Sequence, residues 1–126
     1  MALNVLVVDD SAVARAMIVK TLRVAQIPLG EVQQAANGQE GLAALEKNWM
    51  DLIFVDINMP VMNGEEMIEL VRANPAWADL PIVVVSTEGS QTRIERLLQQ
   101  GVRFIHKPFT PEAVREIVSQ LTGVSQ

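Results

Sequence analysis

The sequence has no cysteine, which excludes a disulfide framework, a thiolate metal site and a cysteine nucleophile. It also lacks a basic excess: ten lysines and arginines face fifteen aspartates and glutamates, for a net charge of −5. That balance argues against nucleic acid as a partner, since a sequence-independent grip on it needs a basic footprint. No apolar run approaches the roughly 18 residues of a membrane span, so insertion into a membrane is not expected. The opening Met1-Ala2-Leu3-Asn4 has no basic region of the signal-peptide kind, and the apolar run after it stops at Asp9. Internal repeats, low-complexity tracts and linkers are absent too. What remains is 126 residues with 49% hydrophobic and 20% charged side chains, the profile of one acidic globular domain spanning residues 1–126. A cytoplasmic location is expected, and Gly123 to Gln126 reads as a terminal stub.

The organising stretch is Leu52-Ile53-Phe54-Val55-Asp56. A continuous apolar run bounded by turn residues reads as a strand buried on both faces, as in a parallel sheet. Leu3 to Val8, Pro81 to Val85 and Phe104-Ile105 read the same way, and Glu31 to Ala36 reads as a weaker strand at the sheet edge. Helical spacing separates them. Val13, Met17, Ile18 and Leu22 form the inner face of a first helix, capped by Asp10 or Ser11. Asn37-Gly38-Gln39-Glu40 has the form of a capping box, with Leu42 and Leu45 behind it. A third helix buries Met67, Ile68 and Val71 and ends before Pro75. A fourth packs through Ile94, Leu97 and Leu98, with Gly101 as terminator. Thr110 caps the last and Pro111 opens it, with Val114, Ile117, Val118 and Leu121 inside. Five strands alternating with five helices imply an α/β, doubly wound parallel sheet with right-handed crossovers.

Polar residues stand at four strand ends: Asp9 with Asp10, Asp56, Ser86 with Thr87, and Lys107. In a parallel sheet these ends share one edge, where open α/β folds put their chemistry. Gathered carboxylates repel, at roughly 4 kcal/mol for two unit charges about 4 Å apart at an effective dielectric near 20. Lys107 offsets one charge. A divalent ion is the natural second, and an all-oxygen donor set with retained waters suits Mg²⁺. Metal and lysine together prepare the site for a phosphoryl group, with a carboxylate as nucleophile. Asp56 is the better candidate for that role, because it stands alone at the end of the central strand. Asp9 and Asp10 are left for the ion, and the Ser86 hydroxyl can donate to a phosphoryl oxygen.

These residues, with the Met59-Pro60 and Gly64 pattern and Lys107-Pro108-Phe109, resemble response-regulator receiver domains of the CheY-like kind over essentially the whole chain. The resemblance implies the flavodoxin-like strand order 2-1-3-4-5, which is a known example for this fold. It implies Asp56 as phosphoacceptor and Asp9, Asp10, Asp56 and the backbone carbonyl of Asn58 as the Mg²⁺ ligands. It also implies Lys107 and Ser86 on the phosphoryl group, Ser86 and Phe104 as the switch pair, and a cis peptide between Lys107 and Pro108. Asn58 and Glu88 occupy the positions that modulate dephosphorylation, and polar side chains there resemble chemotaxis members. The implied phosphodonor is a histidine kinase or phosphotransfer protein. The implied output is a protein partner bound by the surface of the fourth helix, fifth strand and fifth helix. Three departures bear on that surface or on access: Thr87 in place of a common alanine, Phe104 in place of a frequent tyrosine, and one residue fewer between Gly101 and Lys107.

Competing functions fit less well. A haloacid-dehalogenase-like phosphatase needs a second aspartate two residues after its nucleophile, and Ser11 and Asn58 stand at those positions. A flavodoxin-like FMN binder needs a hydroxyl-rich loop where Asp9-Asp10 stands. A receiver serving as a phosphorylation-independent adaptor would have no use for the complete set of pocket residues. Of the remaining residues, His106 is aimed away from the pocket by strand alternation. Trp49, Trp77, Met59 and Met62 read as packing groups. Arg93, Arg96 and Arg103 read as a solvated basic face or a docking patch for an acidic partner.

Overall fold

The computed structural model describes residues 2–123; Val124 to Gln126, in the expected stub, lie outside them. Ten elements alternate along the chain: β1 (Leu3–Val8), α1 (Ala12–Val24), β2 (Leu29–Ala35), α2 (Gly38–Lys47), β3 (Leu52–Val55), α3 (Gly64–Ala73), β4 (Ile82–Ser86), α4 (Gln91–Leu98), β5 (Arg103–His106) and α5 (Pro111–Thr122). The strands form one sheet in the order β2-β1-β3-β4-β5, every pair parallel. The expected fold class and strand order hold, and the weak second strand is at the edge.

Alternation along the strands sends successive side chains to opposite faces. Leu6, Val8, Ile53, Val55, Ile82 and Val84 join a core with Leu45 of α2, Met67, Ile68 and Val71 of α3, and Leu97 of α4. Val5, Val7, Leu52, Phe54, Val83 and Val85 join the other, under Ile18 and Leu22 of α1 and Val114 and Val118 of α5. This explains the unbroken apolar strands: both faces are covered, so neither register position can be polar. Arg72 ties α3 to the neighbouring loops, donating to the carbonyls of Gln100 at 2.7 Å and Leu80 at 2.8 Å. Burial pushes its pKa down, with Asp79 partly opposing.

Several local expectations are corrected. Val13 and Met17 are 74% and 53% exposed. The buried stripe of α1 runs through Ile18 and Leu22 to Ala25, and a residue one position earlier lies about 100° round the helix from it. Leu98 is exposed for the same reason, beside the buried Ile94 and Leu97. Trp49 is 74% exposed and donates its indole N–H to Asp51 at 3.1 Å, whereas Trp77 packs on the core. Ser11, not Asp10, caps α1. At α2, Asn37 accepts from the Glu40 amide, but the Glu40 carboxylate turns to the Ala36 amide at 3.0 Å, so the box stays open. The reciprocal box closes instead at α3, between Asn63 and Glu66.

Candidate functional site

The site is built on backbone ladders that run one residue past the strands. The Asp9 amide donates to Ala35 O at 3.0 Å, the Asp56 amide to Val8 O at 3.0 Å, and the Lys107 amide to Ser86 O at 2.9 Å. Each polar residue is therefore held as rigidly as the strand before it. Carboxylate oxygens of Asp9, Asp10 and Asp56 all lie within 4.8 Å of one another. Asp9 is buried and Asp10 exposed. The Lys107 ammonium is 3.3 Å from Asp9 Oδ2 and 3.7 Å from Asp56 Oδ2. Asp9 also accepts from the Ser11 amide at 2.9 Å, and Asp56 from the Ile57 amide at 2.8 Å. Arg15 donates to the Asp9 carbonyl at 2.6 Å, adding positive charge at the rim. Three hard oxygen donors with no nitrogen or sulfur among them fit a divalent cation of the Mg²⁺ kind.

Ser86 is buried, and its hydroxyl oxygen accepts from the Glu88 amide at 3.2 Å. Its proton is left to donate elsewhere. The Lys107–Pro108 peptide is cis. Phe104 packs against the core beneath α3 and α4, with its ring edge-on to His106 at a centroid distance of 4.7 Å. His106 itself is exposed. A cavity of about 470 Å³ lined by Trp49, Trp77 and Asp79 lies at the opposite, amino-terminal edge of the sheet, away from the acidic cluster.

Arg93 differs from the expected solvated face. Its guanidinium bridges Glu65 at the start of α3 and Glu88, the latter at 2.8 Å, and reaches the Asn58 side-chain oxygen at 3.3 Å. Burial works against its charge, but the two carboxylates outweigh that and raise its pKa. Glu88 is held below the usual carboxylate range, first by the Ser90 amide and also by Arg93. Sequence reasoning missed this arrangement, since the residues it joins are up to 35 positions apart.

A doubly wound parallel sheet with carboxylates and a lysine gathered at the carboxyl edge defines a flavodoxin-like domain of the signalling kind. The chain belongs to the response regulator receiver family: the model of the response regulator receiver domain matches residues 5–119, and its relatives make it CheY-like. It is 37% identical over 123 residues to a chemotaxis protein CheY homolog of Campylobacter jejuni, covering 96% of this chain and 93% of that protein. The crystallised chemotaxis response regulator CheY4 of Vibrio cholerae superposes with a TM-score of 0.83 at 35% identity, over 96% of this chain and 99% of the other. The receiver domain of a sensor histidine kinase from Pseudomonas aeruginosa, solved with a magnesium ion in its active-site cleft, matches with a TM-score of 0.84 at 25% identity, over 98% and 100% of the two chains. As a CheY-type receiver the protein is a signalling switch rather than a conventional enzyme. Among the described residues no helix is long and apolar enough to cross a membrane.

Proposed function

We propose that this chain is a cytoplasmic response regulator that accepts a phosphoryl group on Asp56 from a histidine kinase or phosphotransfer protein. The observation that carries the reading is the convergence of Asp9, Asp10 and Asp56 within 4.8 Å under a single lysine. A carboxylate oxygen of Asp56 attacks phosphorus, the bond from phosphorus to the donor breaks, and the donor leaves with its electron pair. Asp9, Asp10, Asp56 and the Asn58 carbonyl would hold Mg²⁺, which when bound neutralises the charge of the incoming oxygens. Lys107 meets a second oxygen and the Ser86 hydroxyl donates to a third. Phosphorylation adds about −1.5 to −2 charges at Asp56. Ser86 turning toward that charge, and Phe104 following, bias the surface of α4, β5 and α5 toward a protein partner. The relatives named chemotaxis proteins favour that pathway. Asn58 and Glu88 govern the water that ends the signal.

Intact-mass measurement after incubation with acetyl phosphate tests the reading. A single phosphoryl adduct on the peptide containing Asp56, formed with Mg²⁺ and not with EDTA, is expected; a protein that stays unmodified in both overturns it. Lys107 competes with the cation for the same carboxylates, so Lys107→Ala should bind Mg²⁺ about tenfold more tightly, the effect of removing one unit charge at 3.3–3.7 Å in a partly screened site. The same variant should accept the phosphoryl group more slowly. Calorimetric titration with MgCl₂ checks the first, and unchanged affinity would contradict it.

A further inference from the structure

Outside the acidic cluster, a second polar arrangement is centred on Arg93, in the first turn of α4. One guanidinium joins three segments: Glu65 of α3, Asn58 in the loop after β3, and Glu88 in the loop after β4. The other carboxylate oxygen of Glu88 accepts from the Ser90 amide at 2.9 Å, and the Glu88 amide donates to Ser86 Oγ. Both loops leave the carboxyl edge of adjacent strands, where Asp56 stands. Arg93 thus joins two side-chain oxygens, one on each of the loops that follow Asp56 and Ser86, that could accept a hydrogen bond from a water molecule.

We infer that Arg93 is a positioning residue that prolongs the phosphoryl state: by occupying Asn58 Oδ1 and Glu88 Oε1, it keeps those oxygens from orienting water toward phosphorus. The inference rests on the reading of Asp56 as phosphoacceptor. In hydrolysis, water oxygen bonds to phosphorus, the bond from phosphorus to the Asp56 oxygen breaks, and inorganic phosphate, a proton and the free carboxylate are the products. An acceptor near the attacking water assists by taking a hydrogen bond from it. A guanidinium already on that acceptor takes one of its lone pairs and lowers its basicity, which weakens the assistance. Lysine can substitute only in part, because a point charge on a flexible stem does not present the planar fork that meets three partners at once.

The test is the decay rate of the phosphorylated protein after removal of acetyl phosphate, followed by intact mass. Arg93→Ala should decay about threefold to tenfold faster than the parent, the worth of one hydrogen bond, and Arg93→Lys should fall between. In an Asn58→Ala/Glu88→Ala background the Arg93→Ala change should have no further effect, which a purely structural role would not produce. Circular dichroism melts establish that each variant is folded. Unchanged or slower decay in Arg93→Ala, or equal acceleration in the background lacking both acceptors, overturns the inference. A parent protein that takes no phosphoryl group overturns the underlying function instead, so the two failures are distinguishable.

Discussion

Asp56→Asn should abolish the phosphoryl adduct and, in EDTA at neutral pH, leave the protein more stable than the parent. The first effect follows from chemistry, since a carboxamide has no anionic oxygen with which to attack phosphorus. The second follows from electrostatics. Three carboxylates have oxygens within 4.8 Å of one another, with one lysine between them. Two unit charges at that distance repel by roughly 3 kcal/mol at an effective dielectric near 20. Solvent at the exposed Asp10 and the lost Lys107 attraction reduce the gain, so about 1 kcal/mol is expected, or roughly 3–5 °C in Tm for a chain of this length. Asparagine retains an oxygen for the Ile57 amide, so the backbone at that position is undisturbed. Mg²⁺ should reverse the order, stabilising the parent by mass action and the variant much less. Melts in EDTA and in MgCl₂ check both halves; a variant less stable than the parent in EDTA would mean that Lys107 already balances the cluster.

The sheet was legible in the sequence because each strand is covered on both faces. The run Leu52 to Val55 needs no alternation when Ile53 and Val55 enter one core and Leu52 and Phe54 the other. The gathering of polar residues at one edge was legible because the topology brings strand ends together, so Asp9, Asp56 and Lys107 could be read as neighbours before any distance was known. Local choices were harder. Asn37-Gly38-Gln39-Glu40 and Asn63-Gly64-Glu65-Glu66 have the same pattern, yet only the second closes a capping box. Asn37 is fully extended, with φ −160°, whereas Asn63 has φ −80°, so the amide presented to the glutamate differs. Val13 and Met17 matched helical spacing but lie on the wrong side of the stripe that the sheet covers. Val61 takes a left-handed conformation, φ 67°, which no rule of residue preference would assign to a β-branched side chain. Arg93 was unreadable because a guanidinium that joins a helix and two loops leaves no mark in local spacing.

Gly64→Ala should cost about 3 kcal/mol of stability, the upper end of ordinary overpacking, and slow phosphorylation by at least about tenfold. Gly64 is not a left-handed residue; its role is close approach. A Cβ there would stand 2.2 Å from the Asp56 carbonyl oxygen and 3.0 Å from the Asp56 carbonyl carbon and Ile57 Cα. All three are backbone atoms. The Asp56 amide is pinned to Val8 O, and the Gly64 amide donates to Ile57 O at 2.8 Å, so neither side can yield without breaking a hydrogen bond at the site. Relief must shift either the start of α3 or the peptide that carries Asp56, and a displacement of about 1 Å at a reacting group can cost 10²-fold in rate. Gly41 supplies the contrast. Its nearest obstacle is Met67 Cε at 2.8 Å, the end of a flexible side chain, and alanine is favoured over glycine within a helix by about 1 kcal/mol. Gly41→Ala should therefore cost far less and leave the phosphorylation rate near the parent's. Urea denaturation and adduct formation, measured on both variants, separate a general intolerance of added methyl groups from a clash aimed at Asp56. Equal losses in the two variants would leave Gly64 no special part in holding Asp56 in place.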